Sequence, residues 1–94
     1  MQVELEYRFG PRSILRPGDR FRTSGGPYYE GSRRIAMTAK GPFTFKRFCW
    51  NGDGEWIEAL DRDGARCVLR LTAGPDLGCR LVNRPYVVTS KIRT

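Results

Sequence analysis

Apolar and polar residues alternate along this chain with the period of β-strands. Near the N-terminus, Val3, Leu5 and Tyr7 alternate with charged residues, as expected for a strand that buries one face. No stretch keeps the i, i+3, i+4, i+7 apolar spacing of an amphipathic helix for more than two turns. Eleven glycines and six prolines interrupt the chain every few residues. The pattern predicts an all-β protein with short strands.

The middle of the chain carries the clearest strand and turn signals. Phe43–Trp50 is rich in aromatic residues and is followed by Asn51-Gly52-Asp53-Gly54, a strong hairpin signal. Glu55–Leu60 reads as the returning strand. A second turn at Arg62-Asp63-Gly64 leads into a third strand, Ala65–Leu71. We therefore expect a three-stranded antiparallel meander in this region.

The flanking segments predict further short strands. Arg20–Thr23 follows a turn around Pro17-Gly18, Ile35–Ala39 forms a short apolar run, and Tyr86–Val88 reads as a closing strand behind Pro85. Five or six short antiparallel strands joined by Gly/Pro turns are typical of a small barrel. A chain of 94 residues is too short for two hydrophobic cores, so residues 1–94 are expected to form one domain.

The hairpin turn also predicts which side chains share a face of the meander. A turn at Asn51–Gly54 places Trp50 opposite Glu55, Cys49 opposite Trp56, and Phe48 opposite Ile57. The face expected to form the core then carries Phe43, Phe45, Cys49, Trp56, Leu60, Cys67, Leu69 and Leu71, together with Arg47 opposite Glu58. Ile57 falls on the other face with Phe48 and Val68. A register slip of one residue would exchange the two faces.

The positive charge is concentrated in the first half of the chain. The net charge is +7, and residues 8–47 hold ten Lys/Arg against two acidic residues. Such asymmetry is typical of proteins that meet phosphates or an acidic partner. No apolar run approaches the roughly 20 residues that span a bilayer, and the N-terminus has no apolar signal region. We expect a cytoplasmic protein that does not contact membranes.

The residue types available for catalysis argue against an enzyme. The sequence contains no histidine, no phosphate-binding loop and no dinucleotide fingerprint. The acidic pairs Asp53/Glu55 and Asp61/Asp63 lie at expected hairpin tips, where turn chemistry explains them. The three cysteines Cys49, Cys67 and Cys79 form no paired knuckle of the kind that binds zinc. We expect structural thiols, no metal, no cofactor and no catalytic residues.

A more specific pattern lies in the basic half. The residues that carry it are, in chain order, Gly18-Asp19, Phe21, Thr23, Gly26-Pro27, Gly31 and Ile35. This order resembles the KOW motif of ribosomal proteins and of transcription elongation factors of the NusG type, over about residues 17–37. The resemblance implies an SH3-like small barrel and a role near nucleic acid.

A second, weaker resemblance leaves the position of Trp56 open. The segment Glu55–Ala59 is similar to the SH3 strand that carries a surface tryptophan and a core alanine. The segment Asn83–Val88 is similar to the closing strand of such barrels. That similarity implies that Trp56 is on the ligand face, whereas the hairpin register places it in the core.

Two functions fit these observations. The basic half, with aromatic residues among the arginines, favours a domain that binds RNA or DNA, alone or within a ribonucleoprotein or transcription complex. The alternative is an SH3-like protein-interaction module, such as an adaptor of a mobile element, that binds an acidic protein. For either partner, the candidate binding residues are Arg20, Arg22, Tyr28, Tyr29, Arg33, Arg34, Lys40, Lys46, Arg47 and Trp50.

Overall fold

The structure consists of antiparallel β-strands. The computed structural model describes residues 1–25, 29–30, 33–34, 41–72 and 85–92. Its strands are β1 (Gln2–Glu4), β2 (Tyr7–Gly10), β3 (Ser13–Leu15), β4 (Arg20–Gly25), β5 (Tyr29–Glu30), β6 (Arg33–Arg34), β7 (Phe43–Asn51), β8 (Gly54–Leu60), β9 (Arg66–Arg70) and β10 (Tyr86–Ile92). Within these ranges, no helix has the length and apolar character needed to cross a membrane. The all-β prediction is confirmed.

One six-stranded sheet organises the described part of the chain. Its strands follow the order β10-β4-β7-β8-β9, and β1 pairs with β7 beside this path. Strand β7 pairs with β8 along one edge, while its other edge pairs with β4 at Phe43 and with β1 at Cys49. Two separate hairpins, β2–β3 and β5–β6, complete the strands. The long β7 therefore carries neighbours at both of its ends.

The predicted meander and its register are confirmed. Trp50 lies opposite Glu55, Cys49 opposite Trp56, and Phe48 opposite Ile57. Side chains fix both turns, because Asn51 Oδ1 accepts a hydrogen bond from the Asp53 N–H at 2.8 Å, and Asp61 Oδ1 accepts hydrogen bonds from the Asp63 and Ala65 N–H groups at 2.8 and 2.9 Å. These local bonds set the strand pairing at each end of β8.

The predicted core face is wrong for part of the meander. The register shifts between Phe45 and Arg47, so that Phe45 lies opposite Ala59 while Arg47 lies opposite Glu58. This bulge at Lys46 lets Phe45 and Phe48 face the same side although they are three residues apart. The side of β8 that enters the core is therefore the one that carries Ile57 and Ala59.

Trp56 and Leu60 lie on the face opposite the core, and both are half-buried. The buried core cluster consists of Leu15, Phe21, Phe43, Phe45, Ile57, Ala59, Leu69, Tyr86 and Val88. Cys67 and Leu71 pack against it as half-buried side chains, which agrees with the predicted face. Cys49 is fully buried, although it lies on the opposite side of β7 from Phe48.

Strand boundaries outside the meander agree with the sequence in part. The strand expected at Arg20–Thr23 is β4, and the expected closing strand is β10, which pairs with β4 from Gly25 to Arg20. The single strand expected from Val3 to Tyr7 is wrong, because the chain breaks into β1 and β2 and leaves Leu5 62% exposed. Strand β3 and the β5–β6 hairpin were not expected. The strand expected at residues 35–39 lies outside the described residues.

An ion pair connects the end of the sheet to the turn before β4. Lys91 on β10 approaches Asp19 with Nζ 3.1 Å from Oδ2, and the Arg16 N–H donates to the same carboxylate oxygen at 2.8 Å. Burial alone would raise the pKa of Asp19, but these hydrogen bonds and the charges of Lys91 and Arg16 lower it below its ordinary value. The folded state therefore favours the ionised carboxylate.

Asp19→Asn is expected to lower the free energy of unfolding at pH 7 by about 1 kcal/mol, the scale of one partly exposed hydrogen-bonded ion pair. Because the pKa of Asp19 is lower in the folded than in the unfolded protein, its contribution is present above the unfolded value and disappears as the pH falls through the folded value. Urea denaturation at several pH values measures this. If the difference in the free energy of unfolding between the wild type and Asp19→Asn stayed constant down to the lowest pH, the ionised Asp19 carboxylate would not be its source.

Candidate functional site

The face of the sheet that carries Trp56 also carries a row of basic residues, and we call this face the outer face. Arg20 on β4 lies opposite Thr44 on β7, Thr44 lies opposite Leu60 on β8, and Leu60 lies opposite Arg66 on β9. Directly opposite residues of antiparallel strands share a face. The row therefore crosses four strands, a width of about 14 Å at the usual strand spacing.

A groove opens at the β4 end of this row, and we call it the arginine groove. It is lined by Arg20, Arg22, Pro42, Thr44, Asp61 and Arg62. Arg20 and Arg22 are exposed because Phe21 and Thr23, which alternate with them on β4, are the buried residues of that strand. The Asp61 carboxylate accepts two backbone hydrogen bonds in its own turn. The groove therefore presents three guanidinium groups beside one carboxylate that already has partners.

A second groove lies at the β9 end of the row, and we call it the β8–β9 groove. Its lining is Lys46, Arg47, Glu58, Ala59, Leu60, Arg66, Cys67 and Val68. Arg47 donates from Nε to Glu58 Oε1 at 2.5 Å, so these two opposite charges largely cancel. Leu60 belongs to this groove and is the cross-strand neighbour of Thr44 in the arginine groove. The two grooves are therefore contiguous.

Most cations of the outer face have no charge partner. In the described ranges, no ion pair or hydrogen bond involves the side chains of Arg20, Arg22, Lys46, Arg62 and Arg66. The other ion pairs join Arg16 to Glu6 and Lys91 to Asp19, away from these residues. A concave surface with one sign of unpaired charge attracts ligands of the opposite sign. The outer face is therefore suited to an anion with several charges.

The structure brings some of the expected binding residues together and separates others. Arg20 and Arg22 line the arginine groove, and Lys46 and Arg47 line the β8–β9 groove. Trp50 lies on the other face of β7, because it shares its face with Phe48 rather than with Cys49. Trp50 is therefore separate from both grooves.

The remaining expected residues concern the segment before Gly41. Tyr29 lies opposite Arg34 in the β5–β6 hairpin, and Arg33 lies opposite Glu30. Tyr28 and Lys40 fall outside the described residues. The involvement of this segment in binding stays a prediction.

Two groove residues were not among the expected binding residues. Arg62 follows β8 in a turn, and Arg66 begins β9. The signal for Arg66 was present in the sequence, because it alternates with the apolar residues of its strand. Arg62 reaches the site only because β7 pairs with both β4 and β8, which is a property of the tertiary fold.

The cysteines of the described segments are held as thiols. Cys49 is free and buried, and its pKa is raised by burial and by the neighbouring carboxylate of Glu58, although the Arg47 charge opposes this. Cys67 is free and half-buried, and burial together with Asp61 raises its pKa. A protonated thiol is a weak nucleophile and a weak metal ligand. Cys79 lies outside the described residues.

The described residues also contain no group of three or more side chains that could hold a metal ion. Comparisons of the chain with protein-family models, with curated proteins and with solved structures give no match. Function is therefore inferred from the outer face itself.

Proposed function

We propose that this chain is a small non-catalytic domain that binds nucleic acid, with the outer face holding the phosphate backbone. The observation that carries this proposal is the set of unpaired cations in two contiguous grooves. Arginine presents a planar fork of donors that matches a phosphate group, and three of the arginines lie in one groove. A repeating polyanion can contact several such cations at once, whereas a single carboxylate contacts only one.

We also propose that the sheet forms an SH3-like small barrel with a KOW-like turn. Consecutive strands from β7 to β9 are neighbours, and the last strand returns to β4. The Asp19 N–H donates to the carbonyl of Arg16 at 2.9 Å, and Gly18 has φ +95°, which agrees with a tight Gly-Asp entry turn. Core Ala59 and outer Trp56 agree with the similarity to an SH3 strand. These features support the proposal that the grooves lie on the outside of such a barrel.

A second candidate function is binding of an acidic protein. The observation in its favour is an apolar strip on the outer face, where Val3 is 40% exposed beside Cys49, and Val68 is 58% exposed beside Glu58. Half-buried Trp56 lies between them, opposite Cys49. Exposed apolar side chains together with a charged patch are typical of protein interfaces. The experiment below separates the two functions.

Equilibrium binding of a labelled single-stranded oligonucleotide, measured by anisotropy over a range of salt concentrations, tests the proposal. The logarithm of the binding constant should fall linearly with the logarithm of the salt concentration, and each phosphate contact removed should reduce the slope by about 0.7 for a single strand. Arg62→Gln and Arg66→Gln are each expected to reduce the slope by this amount, since each removes one unpaired cation from a groove. Arg12→Gln is the matched control, because Arg12 is exposed in the turn between β2 and β3.

Equal slopes for the wild type, Arg62→Gln and Arg66→Gln would contradict the phosphate-binding role of the grooves. If Arg12→Gln reduced the salt slope as much as Arg62→Gln or Arg66→Gln does, the oligonucleotide would be attracted by the net charge of the protein alone. Failure of every oligonucleotide to bind at low salt would favour the acidic protein partner.

A further inference from the structure

Three aromatic side chains form a stack on the face of β7 opposite the outer face, and we call it the aromatic stack. The ring centroids of Tyr7 and Phe48 are 5.0 Å apart, and those of Phe48 and Trp50 are 5.2 Å apart, with the last two rings 27° from parallel. All three residues are half-buried. Tyr7 and Phe48 pack against the core cluster, whereas Trp50 is not among the side chains that do so. Trp50 is therefore the end of the stack farthest from the core.

Carboxylates border this stack. Glu55 lies directly opposite Trp50 on β8, and Glu4 lies directly opposite Phe48 on β1. Both glutamates are exposed, and neither forms an ion pair within the described part of the chain. The pKa of Tyr7 is raised, first by burial and second by the negative charge of Glu55. The stack thus combines aromatic rings with unpaired negative charge.

Arg70, which lies opposite Trp56 and therefore on the outer face, does not neutralise these glutamates. Arg70 donates from Nη2 to the carbonyl of Asp53 at 3.3 Å, and it forms no ion pair with Glu4 or Glu55. Its Nε is buried and has no hydrogen-bond partner. The acidic charge at the aromatic stack therefore persists in a molecule whose net charge is +7.

We propose that the aromatic stack is a binding site for an arginine side chain of a partner protein, with the guanidinium over the Trp50 ring and beside Glu55. The negative face of an indole attracts a cation, and a guanidinium also stacks on it because it is planar. The carboxylates of Glu4 and Glu55 attract the positively charged guanidinium, whereas the net positive charge of the rest of the molecule repels it. The site lies on the other face of the sheet from the arginine groove and shares no residue with it.

The test uses tryptophan fluorescence of the full chain. The sequence has two tryptophans, and Trp56→Phe leaves Trp50 as the only indole. This protein is titrated with acetyl-Gly-Arg-Gly-Arg-Gly-amide and with the same peptide in which citrulline replaces both arginines. Citrulline keeps the planar shape and loses the charge, so only the arginine peptide should change the Trp50 emission in a saturable manner.

Variants locate the interaction. Trp50→Ala, followed by isothermal titration calorimetry, is expected to weaken arginine-peptide binding by about 3- to 30-fold, the range of a partly desolvated cation–π contact. Glu55→Gln preserves the shape of the side chain and should weaken binding with less effect on stability, whereas Glu6→Gln serves as the control because Glu6 pairs with Arg16.

Equal affinity for the arginine and citrulline peptides, or unchanged affinity in both Trp50→Ala and Glu55→Gln, would overturn the proposal. Quenching of Trp50 by an oligonucleotide that competes with the peptide would also overturn it and would assign the stack to nucleic acid. None of these outcomes depends on the salt-slope measurement on Arg62→Gln and Arg66→Gln. The arginine-binding proposal and the nucleic-acid-binding proposal can therefore fail separately.

Discussion

Phe45→Ala is expected to lower the free energy of unfolding by about 3–5 kcal/mol, the range observed when a buried phenylalanine is truncated. The Phe45 side chain is fully buried and belongs to the core cluster with Phe21 and Phe43. Its backbone also accepts a hydrogen bond from the Gly18 N–H at 2.9 Å and donates one to the Asp19 carbonyl at 2.8 Å. These bonds hold the backbone in place, so the cavity left by the ring cannot easily collapse. Chemical denaturation measures the change.

Trp56→Ala is the informative comparison, since tryptophan is larger than phenylalanine and lies on the neighbouring strand. Trp56 is half-buried on the outer face, and its truncation should cost at most about 2 kcal/mol, because less apolar surface leaves contact with the protein. A larger loss for Trp56→Ala than for Phe45→Ala would place the core on the other face of the meander.

The register of the meander was predictable because its determinants are local. Asn51 and Asp61 each form side-chain hydrogen bonds within their own turns, so the residues that specify the pairing lie within a few positions of one another. The core face was not predictable for β8, because a single extra residue at Lys46 changes the alternation of β7. The bulge has no signal comparable to Asn-Gly, and without it the alternation assigns Trp56 to the core.

The same distinction holds for the candidate site, where residues placed by a local pattern were predictable and residues placed by the tertiary fold were not. Arg20 and Arg22 were identifiable because they alternate with buried residues in a short strand, and their exposure follows from that pattern. Arg62 was not identifiable, because its place in the arginine groove depends on the pairing of β7 with both β4 and β8. Trp50 was expected beside the basic residues because it is near them in sequence, but the bulge and the strand pairing put it on the other face.

Gly25→Ala is expected to have the second large effect, through the pairing of β4 with the last strand. Gly25 has φ +79° and lies opposite Tyr86, at the end of the β4–β10 pair. A Cβ at this position would overlap the carbonyl oxygen of Pro85, which is a backbone atom and cannot rotate away. Left-handed strain costs about 1–2 kcal/mol and overpacking about 1–3 kcal/mol, so a total of about 2–5 kcal/mol is expected.

Gly18→Ala separates these two contributions. Gly18 also has a left-handed backbone, with φ +95°, but a Cβ there would meet no atom within 4 Å. Its substitution should therefore cost only the strain of a non-glycine residue, about 1–2 kcal/mol. The difference between Gly25→Ala and Gly18→Ala in denaturation experiments measures the close approach of β4 to Pro85. If both substitutions lowered the free energy of unfolding equally, β10 could move away from β4 at no cost. The burial of Tyr86 and Val88 in the core cluster argues against such a movement.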